Sequence, residues 1–164
     1  MAFRSWAASR FGSPSAVYGT ILYSALIAVV STDHTDTVEV LVVSLFSLIV
    51  FWCAHVYAET VAGHGVKDGT VIRLRTSFRE ATTKSSGMLY AAIAPSLTLL
   101  LGVFHVLRMD TAVSFSLLVA TAVLGVLGFI AFTQRGSPMI IRILGALGTA
   151  FFGTVMIVLN TAVH

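Results

Sequence analysis

No Asp, Glu, Lys or Arg stands between Glu39 and Glu59. As a helix rising about 1.5 Å per residue, the stretch TVEVLVVSLFSLIVFWCAHVYAETVAGH (residues 37–64) reaches roughly 40 Å. That is enough to cross a hydrocarbon core of about 30 Å and emerge beyond it. The run begins without interruption and ends on His55, Tyr57, Glu59 and His64, so it is the expected organiser, with the other apolar segments packed round it as helices. The whole chain agrees: 57% of its residues are hydrophobic and 10% charged, and the mean hydropathy is +0.93. A soluble domain of this size needs far more polar surface to cover its core. The expectation is a single all-α domain over residues 1–164, a polytopic transmembrane helix bundle.

In chain order, the expected spans are 15–32, 37–61, 87–107, 112–133 and 138–162. Arg4 and Arg10 before the first span would also suit a signal peptide. That run is longer than a typical leader core and lacks a convincing small-residue cleavage pattern, so it is read as a span opened by Pro14. The polar turn around Asp33, His34 and Asp36 is short enough to make the first two helices antiparallel neighbours. Gly63, Gly65 and Gly69 break the second helix, and a basic loop follows over 63–86. Within it Val71, Leu74 and Phe78 recur at helical spacing beside arginines, the pattern of a short amphipathic helix lying at headgroup level. Pro95 removes a backbone donor near the middle of the third span, where Ser96 and Thr98 are placed to satisfy freed polar backbone.

Charge placement checks the count. With five spans, Arg4, Arg10, Lys67, Arg73, Arg75, Arg79, Lys84, Arg135 and Arg142 fall on one side, and only Arg108 falls on the other, with Asp33, Asp36, Glu39 and Asp110. The positive-inside rule then puts the N terminus in the cytoplasm, the C terminus outside and the protein in the cell membrane. The net charge of +3 does not signal nucleic acid, because there is no soluble basic domain to bind it. The expected partners are the bilayer, anionic headgroups included, and a second copy or a larger membrane complex.

Lipid tails are as apolar as leucine, so helices associate through close packing and polar contacts, and small residues four apart mark contact faces. These are Thr20, Ser24 and Ala28 on the first helix, Ala54, Ala58 and Ala62 on the second, and Thr121 and Gly125 on the fourth. On the fifth, Arg142, Thr149, Gly153 and Asn160 lie within about 20° of one line, beside Gly145, and that stripe should face protein.

His55 and Glu59 are one turn apart, and Arg142 is expected at a similar level on the fifth helix. One reading is an intramembrane polar site in which Arg142 holds Glu59 ionised while His55 exchanges a proton. The other is an interfacial belt of Trp52, His55 and Tyr57, with Glu59 among the headgroups. A second cluster, Asp33, His34, Asp36, Glu39 and His105 with Asp110 and His164, forms an outer rim. It suits either a solvated acidic surface or a mixed carboxylate and imidazole metal site. His55, Glu59 and His64 do not have zincin spacing, and His55 and His105 belong to opposite faces, which speaks against a shared haem. The lone Cys53 reads as a packing residue. With no phosphate-cradling glycine loop and no GXSXG elbow, no catalytic, cofactor or metal residue is assigned.

The segment FWCAHVYAE, followed by a basic loop, resembles the second span of small bacterial integral membrane proteins, particularly actinobacterial ones. Those proteins carry no assigned activity, so the resemblance implies class and location. The expected role is that of a non-enzymatic structural or accessory membrane subunit. The alternative is a small proton, ion or solute transporter or channel built round His55, Glu59 and Arg142.

Overall fold

Two prolines open helices in this chain. Pro14 begins α1 (Pro14–Asp33), and Pro138 precedes α5 (Met139–Val163), its carbonyl taking the first helical bonds from Ile141 and Arg142. A proline suits both places because the first turn of a helix leaves its N–H groups unpaired. Between them lie α2 (Thr37–Gly63), α3 (Leu74–Val103) and α4 (Met109–Gln134). A hairpin of two three-residue strands, β1 (Gly65–Lys67) and β2 (Thr70–Ile72), joins α2 to α3, with Val66 opposite Val71. The computed structural model describes residues 13–33, 36–67 and 70–163. All five helices are long and apolar enough to cross a membrane, so the chain is a multi-pass, all-α membrane protein.

The polar segment before the third span departs from expectation. Residues 74–86 do not form a separate helix on the bilayer surface; they are the opening turns of α3, which runs without a break into the span. Arg, Glu, Lys and Ala are good helix formers, and the hydroxyls of Thr82 and Ser86 bond back to the carbonyls of Phe78 and Thr83. Ser77, Ala81 and Ser85 are buried, and Ser77 Oγ would lie 2.5 Å from a Cβ added at Gly63. These turns therefore continue the α2–α3 packing. Leu74 and Phe78, expected to point into lipid from a surface helix, are more than half exposed. At its other end α3 stops at Val103, short of the expected 107, because His105 takes a positive φ of 56° and the N–H groups of Val106 and Leu107 turn back to the carbonyl of Leu101.

Contacts fix the directions. Gly19 of α1 packs on Met88 of α3, Gly102 of α3 on Thr37 and Ala112, and Asn160 of α5 donates to Ala28 O of α1 at 3.2 Å. Helices α1, α3 and α5 are thus parallel to one another and antiparallel to α2 and α4. One end of the bundle carries Arg73, Arg75, Arg79, Lys84, Arg135 and Arg142; the other carries Asp36, Glu39 and Asp110 with Arg108.

The centre of the bundle is α1 rather than α2. The shortest of the five helices, α1 touches every other one and buries Thr20, Tyr23, Ser24, Ile27, Ala28 and Ser31. Its hydroxyls satisfy themselves, Thr20 Oγ1 donating to Ala16 O and Ser24 Oγ to Thr20 O, so small residues let neighbours close in without stranding polar groups. By contrast, α2 buries one narrow stripe, Thr37, Val40, Leu41, Ser44, Leu48, Val56 and Thr60. Ala54, Ala58 and Ala62, expected at a contact, are exposed. The stripe of α5 does face protein: Thr149 Oγ1 donates to Leu124 O at 2.7 Å, Gly153 meets Thr121, and Asn160 also reaches Ser31 Oγ.

The hydroxyls near Pro95 are used differently from expectation. Thr98 and Ser116 both donate to Pro95 O, at 2.7 and 2.9 Å, and Ser96 Oγ shares a 2.7 Å hydrogen bond with Tyr23 Oη. Ser116 and Ser96 thus tie α3 to α4 and α1, Thr98 serves the proline's own carbonyl within α3, and none of the three serves the carbonyl one turn before it. Interhelical hydrogen bonds in membranes average about 0.6 kcal/mol. Ser116→Ala is therefore expected to cost about 0.5 to 1 kcal/mol in a detergent unfolding titration.

Candidate functional site

The cleft of greatest volume described lies at the basic end, where α1, α2 and α3 meet. Ser13 caps α1, its Oγ accepting from Ala16 N at 3.3 Å and sharing a 3.0 Å hydrogen bond with Ser15 Oγ. Ser15 Oγ also donates to Lys84 O at 2.6 Å. A Cβ added to Gly19 would lie 2.6 Å from Met88 Cα. The start of α1 is thus fastened to α3, and α2 forms the third wall. One turn into α1, the ring of Tyr18 stacks on His55 of α2, with centroids 6.2 Å apart and planes at 27°. The resulting cleft has a volume of about 690 Å³, and His55, Glu59, Lys84, Tyr18 and Gly87 are among its lining residues. That size falls within the range of small-molecule sites, about 300 to 1,000 Å³.

Three helices place this cleft within about one turn of a common depth. At about 1.5 Å per residue from the acidic end, Tyr18 lies about 22 Å along α1, His55 about 27 Å along α2 and Gly87 about 24 Å along α3. Glu59 and Lys84 follow at about 33 and 28 Å. A hydrocarbon core of about 30 Å laid from the acidic end would cover the aromatic and glycine floor. It would end near the two charged groups. Glu59 and Lys84 are exposed and His55 is half-buried. No partner lies within ion-pair distance of Glu59 or Lys84 among the described residues.

His55 and Glu59 therefore share a site, but Arg142 does not join them. Helix α5 packs on α4 and α1 and makes no comparable contact with α2, and Arg142 Nε donates to Ser137 O at 2.7 Å, closing its own interhelical turn. The cation in the cleft is Lys84, from the polar segment. Sequence reasoning missed it because lysine and glutamate are brought together only by the α2–α3 hairpin. Tyr18, an aromatic one turn inside a proline-opened span, was the available signal.

No protein-family model, curated protein or solved structure matches the chain.

The described members of the acidic rim stand at the starts of α2 and α4 and just past the end of α3. Asp36 Oδ1 caps α2 by accepting from Val38 N at 3.1 Å. Asp110 lies 3.9 Å from Arg108, both side chains largely exposed, and His105 is exposed on its left-handed turn. Glu39 lies in the first turn of α2. His34, His164 and the side chain of Asp33 lie outside the described residues. Among the described residues, no three His, Cys, Asp or Glu side chains converge as a metal-holding group.

Proposed function

We propose that the chain is a non-enzymatic structural or accessory subunit of the cell membrane, with the start of α1 on the cytoplasmic side and the end of α5 outside. The observation that carries this reading is the sealed waist of the bundle. Tyr23, Ile27, Leu48, Met88 and Leu99 are each no more than 1% exposed. They fill the interior between the basic cleft and a smaller one of about 260 Å³ that Asp110 and Asn160 help to line. Most hydroxyls at that level are engaged, Thr20 and Ser24 on their own helix and Tyr23 with Ser96, while Ser44 Oγ stands buried without a hydrogen-bond partner among the described residues. An ion crossing the bilayer needs polar partners or water along its whole route, and these scattered hydroxyls, set among tightly packed apolar side chains, do not make a continuous one. Ala54, Ala58 and Ala62 supply the second support: a small-residue face that the chain does not use internally allows close approach by another helix. The orientation follows from the cationic end under the positive-inside rule.

Reconstituted into proteoliposomes, the protein is expected to give no proton or divalent-cation flux above protein-free vesicles, and to co-purify in mild detergent with a second copy or a stoichiometric partner. A saturable flux abolished by Glu59→Gln would replace this reading with transport. Tags on the two termini should report opposite compartments.

A further inference from the structure

We propose that the basic-end cleft binds the headgroup of an amine-bearing zwitterionic phospholipid, phosphatidylethanolamine, with its ammonium on Glu59 and its phosphate on Lys84. Two unlike charges line one cleft without pairing with each other or with any other described group. A ligand whose positive and negative groups are separated by a short linker can engage both at once. A purely anionic headgroup would meet Lys84 but be repelled by Glu59, so the acid selects against it. Hydrogen bonds between ionised partners are the strong ones, and a primary ammonium can donate to a carboxylate where a quaternary one cannot.

The depth of the cleft argues for a lipid over a free solute. The charged pair stands at about the headgroup boundary, while Tyr18 and Gly87 line the cleft on its hydrocarbon side. A headgroup engaging the charged rim would thus continue into acyl chains along the Tyr18 side of α1, where the ring is half exposed. The site needs only the bundle and the bilayer, so it stands or falls apart from the subunit role proposed above.

Native mass spectrometry of the full chain, titrated with ethanolamine, choline and glycerol phospholipids of identical acyl chains, tests the assignment. The ethanolamine lipid should be retained about tenfold more tightly than the glycerol lipid, the worth of one charge-assisted contact, with the choline lipid weaker than ethanolamine. Glu59→Gln should erase that order. Lys84→Gln should weaken ethanolamine lipid about tenfold, and Lys84→Arg should restore it. Both side chains are exposed, so the variants leave the core packing intact, and an unchanged thermal transition verifies this. Equal retention of the three lipids by the native protein, or an unchanged order in Glu59→Gln, overturns the proposal. So does displacement of the lipid by soluble phosphoethanolamine at equal concentration, which would make the occupant a solute needing no tail.

Discussion

Gly19→Ala is expected to destabilise the bundle by about 2 kcal/mol, and Gly19→Val by more, in a detergent unfolding titration. The sign is the informative part. In an unencumbered helix, alanine is favoured over glycine by about 1 kcal/mol, so an increase in stability would be the ordinary result. Here the new Cβ would sit 2.6 Å from Met88 Cα and 2.8 Å from Met88 O. Those are backbone atoms of α3, and they can retreat only if the whole helix shifts. Overpacking a filled core typically costs about 1 to 3 kcal/mol. The displacement would also pull Ser15 away from Lys84 O and Tyr23 from Ser96, contacts that fasten α1 to α3 on either side of Gly19. A stabilised Gly19→Ala protein would show that the two helices do not approach this closely.

The apolar runs made the number, order and alternating direction of the helices readable, because a backbone in lipid has few ways to satisfy its own polar groups and a helix is the local one. Which helix stands at the centre was not readable. Helix α2 is longer and begins with the more continuous apolar run, but bulk suits lipid as well as it suits protein, so Val42, Phe46 and Phe51 can stay exposed. The smaller residues of α1 decide the matter. Residues 74–86 were misread for a related reason: a polar helix in water and an amphipathic one on a membrane share the same periodicity. What separates them is the partner for Ser77 and Ala81, which the α2–α3 hairpin supplies. The candidate site divides similarly. His55 and Glu59 were legible as one helical face, whereas Lys84 and Tyr18 come from other helices, and nothing local in the sequence records that they meet.

Small-residue stripes give the clearest lesson, since the same pattern was right on α5 and wrong on α2. Stripes are permissive: they allow close approach but do not compel it. On α5 two further features turn permission into contact. Thr149 offers a hydroxyl to Leu124 O, and Asn160 offers an amide to Ala28 O and Ser31 Oγ. Ala54, Ala58 and Ala62 have no such polar companion, and within one chain they stay uncovered.

That difference predicts opposite responses from two glycines on one helix. Gly153→Ala should weaken the attachment of α5 to α4, because the added Cβ would lie 2.5 Å from Thr121 Oγ1 and 2.8 Å from Thr121 Cα. The expected loss is about 1 to 3 kcal/mol, seen as a lower unfolding midpoint and faster cleavage of the turn around Gly136 by added protease. Gly148→Ala should be neutral or stabilising by up to about 1 kcal/mol, since nothing lies within 4 Å of its added Cβ and only the helix propensity changes. Both substitutions add the same methyl group to the same apolar helix, so hydrophobicity and helix propensity cancel in the comparison. What remains is whether a neighbouring backbone occupies the space. Equal responses from the two variants would mean that α5 does not meet α4 through the Gly153 face.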